Sequence, residues 1–376
     1  MLAIRTIPPL QECSRSITIS HQRNIEVSAA YPKKKGEKDM IKKEFMECYQ
    51  GNDVYKYTIS DEIEVEISTL GATLLSLKTP DKNGVMTDVL LGFQNADDMI
   101  HKSDFMGAVV GRFGNRIGDG KFELEGKQYQ LALNDGGKAH LHGGLVGFNQ
   151  KNYTAQEQNN SLLLTCFSPD GEEGYPAGLT LTVQYTVKGK SLIIEYFAES
   201  DGTTIFNPTN HAYFNLNGEC DGSILDNIMQ INADRYLPTN QKLIPTGEET
   251  SVENTAFDFR LPKPIGRDIC EKDEQLLTAG GYDHNFCLTD SHFAVVYSEK
   301  TGIQMDCYTD RPGVQFYSGN FLSGSVGKSQ YNKNSGFCLE TQLYPDCINK
   351  PQWQSPILKK GEKFYSKTEY SFSVKR

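Results

Sequence analysis

The chain has 376 residues, with 38 Lys and Arg against 48 Asp and Glu and a formal net charge of -10. An acidic balance without a basic stripe excludes nucleic acid as a partner, because phosphate binding needs clustered positive charge. The absence of any run of about 18 apolar residues excludes a transmembrane helix and a membrane partner.

Residues 1–42 differ from the rest. They lack the uninterrupted apolar stretch of a secretory signal, and Glu12, Glu26 and the Pro8-Pro9 pair argue against an organellar presequence. The expectation is a poorly ordered extension that ends in the charged run Lys33 to Asp39, with Met40 and Met46 as alternative starts. A single domain is expected over 43–376. The nine cysteines of the whole chain are scattered without a C-x-x-C pair. They fit neither a zinc ribbon nor a disulfide framework and suit a reducing, cytoplasmic compartment.

From Lys43 onward the pattern is that of β-structure. Ile63, Val65 and Ile67 alternate with acidic residues in "EIEVEIS", which predicts a half-buried strand. A short helix is predicted around "NADDMI" (95–100). In "LTLTVQYTV" Leu179, Leu181, Val183, Tyr185 and Val187 alternate with Thr and Gln; "KGK" (188–190) then turns the chain into "SLIIEYFAES", and the pair reads as a hairpin. The same period recurs at Ile303, Met305 and Cys307 and at Tyr370, Phe372 and Val374. Many strands, few helices and no linker after residue 42 predict one large antiparallel β-sandwich.

The residues able to do chemistry lie in polar, Gly- or Asn-rich clusters. His140 and His142 stand in "NDGGKAHLHGG", where a strand would point both rings to one face and Gly143 and Gly144 would let backbone lie close to a ligand. His211 stands in "NPTNHAYFNL", His284 beside Asp283 in "GGYDHNFCL", and Glu340 in "GFCLETQ". His140, His142, His211 and Asp283 are conceivable metal ligands, yet H-x-H without a nearby third ligand is a weak pattern. A histidine with a carboxylate equally suits general acid–base work. Arg112 and Arg116, among glycines, offer guanidinium forks for a polyhydroxylated or anionic ligand or simply brace a turn. "GRFGNRIG" has neither a Walker lysine nor dinucleotide-binding spacing.

Taken in order, "GRFGNRI" (111–117), "HLHGG" (140–144), "SPDGEEGYP" (168–176), "NPTNHAYFNL" (207–216), "GYDHNF" (281–286), "PGVQFYSGNFL" (312–322) and "CLETQ" (338–342) resemble the aldose 1-epimerases. The resemblance spans 43–376. It implies an all-β supersandwich of mostly antiparallel strands and an isomerase that interconverts the α and β anomers of galactose or glucose without metal or organic cofactor. It further implies Glu340 as the base at the anomeric hydroxyl and His211 as the acid at the ring oxygen. His142, Asp283, Arg116 and Asn115 are implied as substrate-binding residues, His140 as a neighbour of lesser importance. Gln315 and Tyr317 stand in a shared motif that strand packing explains as readily as sugar contact. The expected assembly is a monomer or weak dimer. Two other functions fit the same scaffold: a non-catalytic sugar-binding or regulatory protein, and a glycoside-cleaving enzyme using Asp283 and Glu340.

Overall fold

Strict alternation makes the long hairpin the clearest element. Leu179, Leu181, Val183, Tyr185 and Val187 are all buried, and strand Leu179–Lys188 turns through Gly189 and Lys190 so that Lys188 faces Ser191 of strand Ser191–Ser200. Gly189 takes φ +57°, which glycine adopts without strain. The hairpin belongs to a nine-stranded antiparallel sheet in which the C-terminal strand Lys363–Val374 lies between Ser191–Ser200 and Ile303–Thr309. Its inner face meets Ile63, Val65 and Ile67 from a five-stranded sheet formed by residues 41–88, giving one continuous apolar core.

The computed structural model describes residues 41–102 and 105–375. Most of the extension expected over 1–42 therefore lies outside the described residues, and the first strand, Ile41–Tyr49, begins two residues before the expected boundary at 43. The expected helix is Ala96–His101, capped by the Asn95 side chain on the Asp98 N–H. A second helix, Glu274–Ala279, has Asp273 as its N-cap and Gly280 after its last turn. Its six residues are too few to show a helical period in sequence.

A second five-stranded sheet positions the site. Strands Asp283–Leu288, Gly313–Tyr317 and Cys338–Gln342 lie side by side, antiparallel, with Asn285 opposite Gln315, and Gln315 opposite Glu340. In the adjoining row Asp283 faces Tyr317, and Tyr317 faces Cys338. The two-residue period therefore puts Asp283, Gln315 and Glu340 on one face. The opposite face carries Val314, Phe316 and Leu339 into the core. This polar row is buried on a sheet fixed from behind by apolar packing.

Candidate active site

The polar face of this sheet forms one wall of a cavity of about 310 Å³, lined among others by Asn115, Arg116, Asp135, His142, His211, Asp283 and Glu340. Glu340 is 2 % exposed, and its Oε2 finds no hydrogen-bond partner among the described residues. Its Oε1 stands 3.7 Å from His211 Nε2, too far for a direct hydrogen bond and close enough for both groups to reach adjacent atoms of one ligand. On the other side of the His211 ring, Nδ1 meets the Cys338 thiol at 3.5 Å. Tyr213 stacks on the same ring at 5.1 Å.

His142 enters from the opposite wall. Strand Ala139–Leu141 pairs with Arg116–Gly118, but His142 itself takes φ +51° and leaves the strand. The expectation that His140 and His142 share a face therefore fails. His140 turns away from the cavity, with Nδ1 2.9 Å from the Ala132 carbonyl and Nε2 2.6 Å from the Tyr175 hydroxyl. His142 is gripped by Asn115: the Asn115 N–H donates to His142 Nδ1 at 3.1 Å, and the His142 N–H donates to the Asn115 carbonyl at 3.1 Å. Nδ1 is thereby an acceptor, and the ring proton resides on Nε2. The Asn115 side-chain oxygen accepts the Arg116 N–H at 2.8 Å.

The two glycines after His142 approach protein, not ligand. A Cβ on Gly143 would lie 1.7 Å from the Gly111 carbonyl oxygen, and one on Gly144 would lie 2.1 Å from Glu173 Oε2. Glu173 accepts the Leu145 and Val146 N–H groups at 2.8 and 3.0 Å and so holds the turn from outside. The two arginines of "GRFGNRI" separate in the same way. Arg112 is fully buried and donates to the carbonyls of Ser168, Pro169, Pro176 and Ala177, bracing the 168–177 loop. Arg116 faces the cavity, donating from Nε to Asp135 at 2.7 Å with Nη1 3.6 Å from Asp283.

Burial sets the protonation of these groups. Desolvation, helped by the Asp283 charge and opposed by Arg116, pushes the Glu340 carboxyl well above its ordinary value. Desolvation likewise brings His211 down to about 4 and His142 well below the usual imidazole range. Arg116 is also desolvated, yet Asp283 and Asp135 outweigh that and hold it protonated.

One donor atom from each of His142, His211 and Glu340 lies within 4.8 Å of the others, a spacing that invites comparison with a metal centre. Metal-bound histidines donate their second N–H to an acceptor. His142 instead accepts an N–H at Nδ1, which leaves the proton on the nitrogen a metal would need. The donor set fits hydrogen bonding to hydroxyls better than ligation.

All six residues implied by the resemblance therefore line a single cavity, although they are spread from 115 to 340 along the chain. His284, beside Asp283, points to the other face and meets Gln275 at 3.2 Å. Gln315 donates to Asp283 Oδ1 at 2.7 Å, and Tyr317 lines the cavity. Sequence reasoning missed Asp135, Phe105, Leu243 and Phe321. The only available signal was the placement of Asp135 in the turn before "HLHGG".

A buried carboxyl beside a neutral imidazole, in a polar cavity on an antiparallel β-sandwich, is the arrangement of an acid–base enzyme. The family model described as "Aldose 1-epimerase" matches residues 55–371. The chain is 44% identical to galactose mutarotase of Bos taurus over 322 residues, covering 84% of this chain and 92% of that one. It is 37% identical to aldose 1-epimerase of Escherichia coli, covering 82% and 91%. A galactose 1-epimerase structure from Lactobacillus acidophilus superposes with a TM-score of 0.80 at 28% identity, over 89% of this chain and 99% of that one. The chain belongs to the aldose 1-epimerase family.

Proposed function

We propose that this chain interconverts the α and β anomers of free hexoses such as galactose and glucose, with Glu340 and His211 as the proton-transfer pair. The observation that carries the reading is the buried Glu340 carboxyl, whose Oε2 has no hydrogen-bond partner among the described residues and whose Oε1 stands 3.7 Å from His211. In a pyranose the anomeric hydroxyl and the ring oxygen are both bonded to C1, so base and acid must stand side by side. His142, Asn115, Arg116 and Asp283 bind the remaining oxygens.

The proton bookkeeping follows from the environment. Burial raises the Glu340 carboxyl and lowers the His211 imidazole, so a single proton on the pair favours Glu340 and leaves His211 neutral. Moving it to His211 gives the reactive carboxylate–imidazolium form at the same proton count. Glu340 then removes the proton from O1, the C1–O5 bond breaks with its electron pair going to O5, and His211 protonates O5. The products are the open-chain aldehyde, a neutral carboxyl and a neutral imidazole, which is the distribution burial favours. Rotation about C1–C2 and the reverse transfers close the ring on the other face. The catalytic unit is residues 43–376, acting in the cytoplasm as a monomer or weak dimer.

Polarimetry of freshly dissolved α-galactose and α-glucose tests this. Wild type accelerates equilibration, Glu340→Gln and His211→Asn each lose on the order of 10² or more in rate, and a chelator changes nothing. Folded wild type that binds sugar without accelerating equilibration would point instead to the sugar-binding reading.

A further inference from the structure

We propose that Asp135 is a positioning residue that fixes Arg116 and makes the cavity discriminate against aldoses bearing a carboxylate or phosphate. The inference rests on the sugar-binding reading of this cavity and adds a substrate class to it. Arg116 is the only Lys or Arg among the described residues lining the cavity, and it is the group an anionic substrate would seek. Two carboxylates already hold it: Asp283 at 3.6 Å and Asp135 at 2.7 Å. With both counted, the formal charge of the guanidinium and its two partners is -1.

The turn is built for this contact. Strand Ala139–Leu141 lies against Arg116–Gly118 with Leu141 opposite Arg116, and the Asp135 N–H donates to the Ala139 carbonyl. The residue is thus folded back toward the strand that carries its partner. Gly136 and Gly137 beyond it are open, with nothing within 4 Å of an added Cβ, so the tip of the turn has no packing duty. Asp135 is 32% exposed in its side chain, in contrast to Arg116 at 9% and Asp283 at 8%, so of the three charged groups it is the one most open to solvent. An incoming anion therefore meets a carboxylate on its approach to the positive charge, whereas a neutral hexose meets acceptors for its hydroxyls.

The test compares galactose with galacturonate, which differ by one charge and both mutarotate. Wild type, Asp135→Asn and Asp135→Glu are followed by polarimetry, and binding of each sugar is measured by saturation-transfer NMR on the same samples. Asp135→Asn is expected to raise kcat/KM for galacturonate relative to galactose by about tenfold, chiefly through KM, with Asp135→Glu close to wild type. A fall for both sugars by one factor would assign Asp135 a merely structural role and overturn the proposal, as would an unchanged ratio. If no variant accelerates either sugar, the isomerase reading fails and the binding ratio decides alone. A shift toward galacturonate in Asp135→Asn upholds the charge discrimination, and an unshifted ratio overturns it.

Discussion

At the scale of single residues, the buried pair dictates a pH profile. On the proposed mechanism the reactive form of Glu340 and His211 carries one proton, so activity is lost when the pair gains a second proton or gives up its last. The expected kcat/KM profile is a bell whose acid limb falls near pH 4, where His211 titrates, and whose basic limb lies well above the ordinary carboxylate range, where Glu340 does. Asp283 contributes to holding Glu340 high, so Asp283→Asn should move the basic limb to lower pH in addition to weakening binding. An unmoved basic limb would mean that another group sets it. The same burial has a stability consequence. Below the unfolded value of 4.5 the Glu340 carboxyl is protonated in both states; as pH rises toward its folded value, the unfolded chain releases the proton first and the native state loses stability. Gln does not titrate, so Glu340→Gln should abolish activity while raising the melting temperature by roughly 1–3 °C at neutral pH, and the gain should vanish near pH 4.

At the scale of elements, the site depends on turns more than on strands. Arg112 braces the 168–177 loop, Glu173 from that loop holds the 143–147 turn, and the turn aims His142. Removing the Glu173 charge leaves the amide donors of Leu145 and Val146 with a weaker acceptor at a partly exposed position. Glu173→Gln is expected to lower kcat by about tenfold while costing about 1 kcal/mol of stability, read from parallel kinetics and urea unfolding. Gly143→Ala is more severe, since its Cβ would overlap the Gly111 carbonyl at a φ of +91°. Soluble yield and activity should both collapse, whereas an alanine at Gly136 meets no atom within 4 Å and bears only the strain of its φ of +54°. These dependencies explain what the sequence left illegible. The alternation at Leu179–Val187 and at Ile303–Cys307 is local, and it predicted strands that the structure contains. The left-handed His142, the Asp135–Arg116 pair and the packing of Gly143 on Gly111 join segments that no periodicity connects.

At the scale of the whole molecule, the site residues come from 115–142, 211, 283 and 340, and only the completed sandwich brings them together. Their candidacy came from the order of motifs, not from any local spacing, because the contacts between them are almost all long-range. The family match covers 55–371, and every cavity-lining residue falls between 105 and 340. The strand Ile41–Tyr49 is nevertheless part of the fold, since it pairs along its length with Asn52–Ser60 and shields the edge of that sheet. A truncated chain beginning at Met40 should therefore keep kcat/KM within about twofold of the full chain and melt at the same temperature. A chain beginning at Gly51 loses that pairing, exposes the sheet edge and should aggregate or melt at a lower temperature. Loss of activity in the Met40 chain, with its melting temperature intact, would instead assign residues 1–39 a part in catalysis.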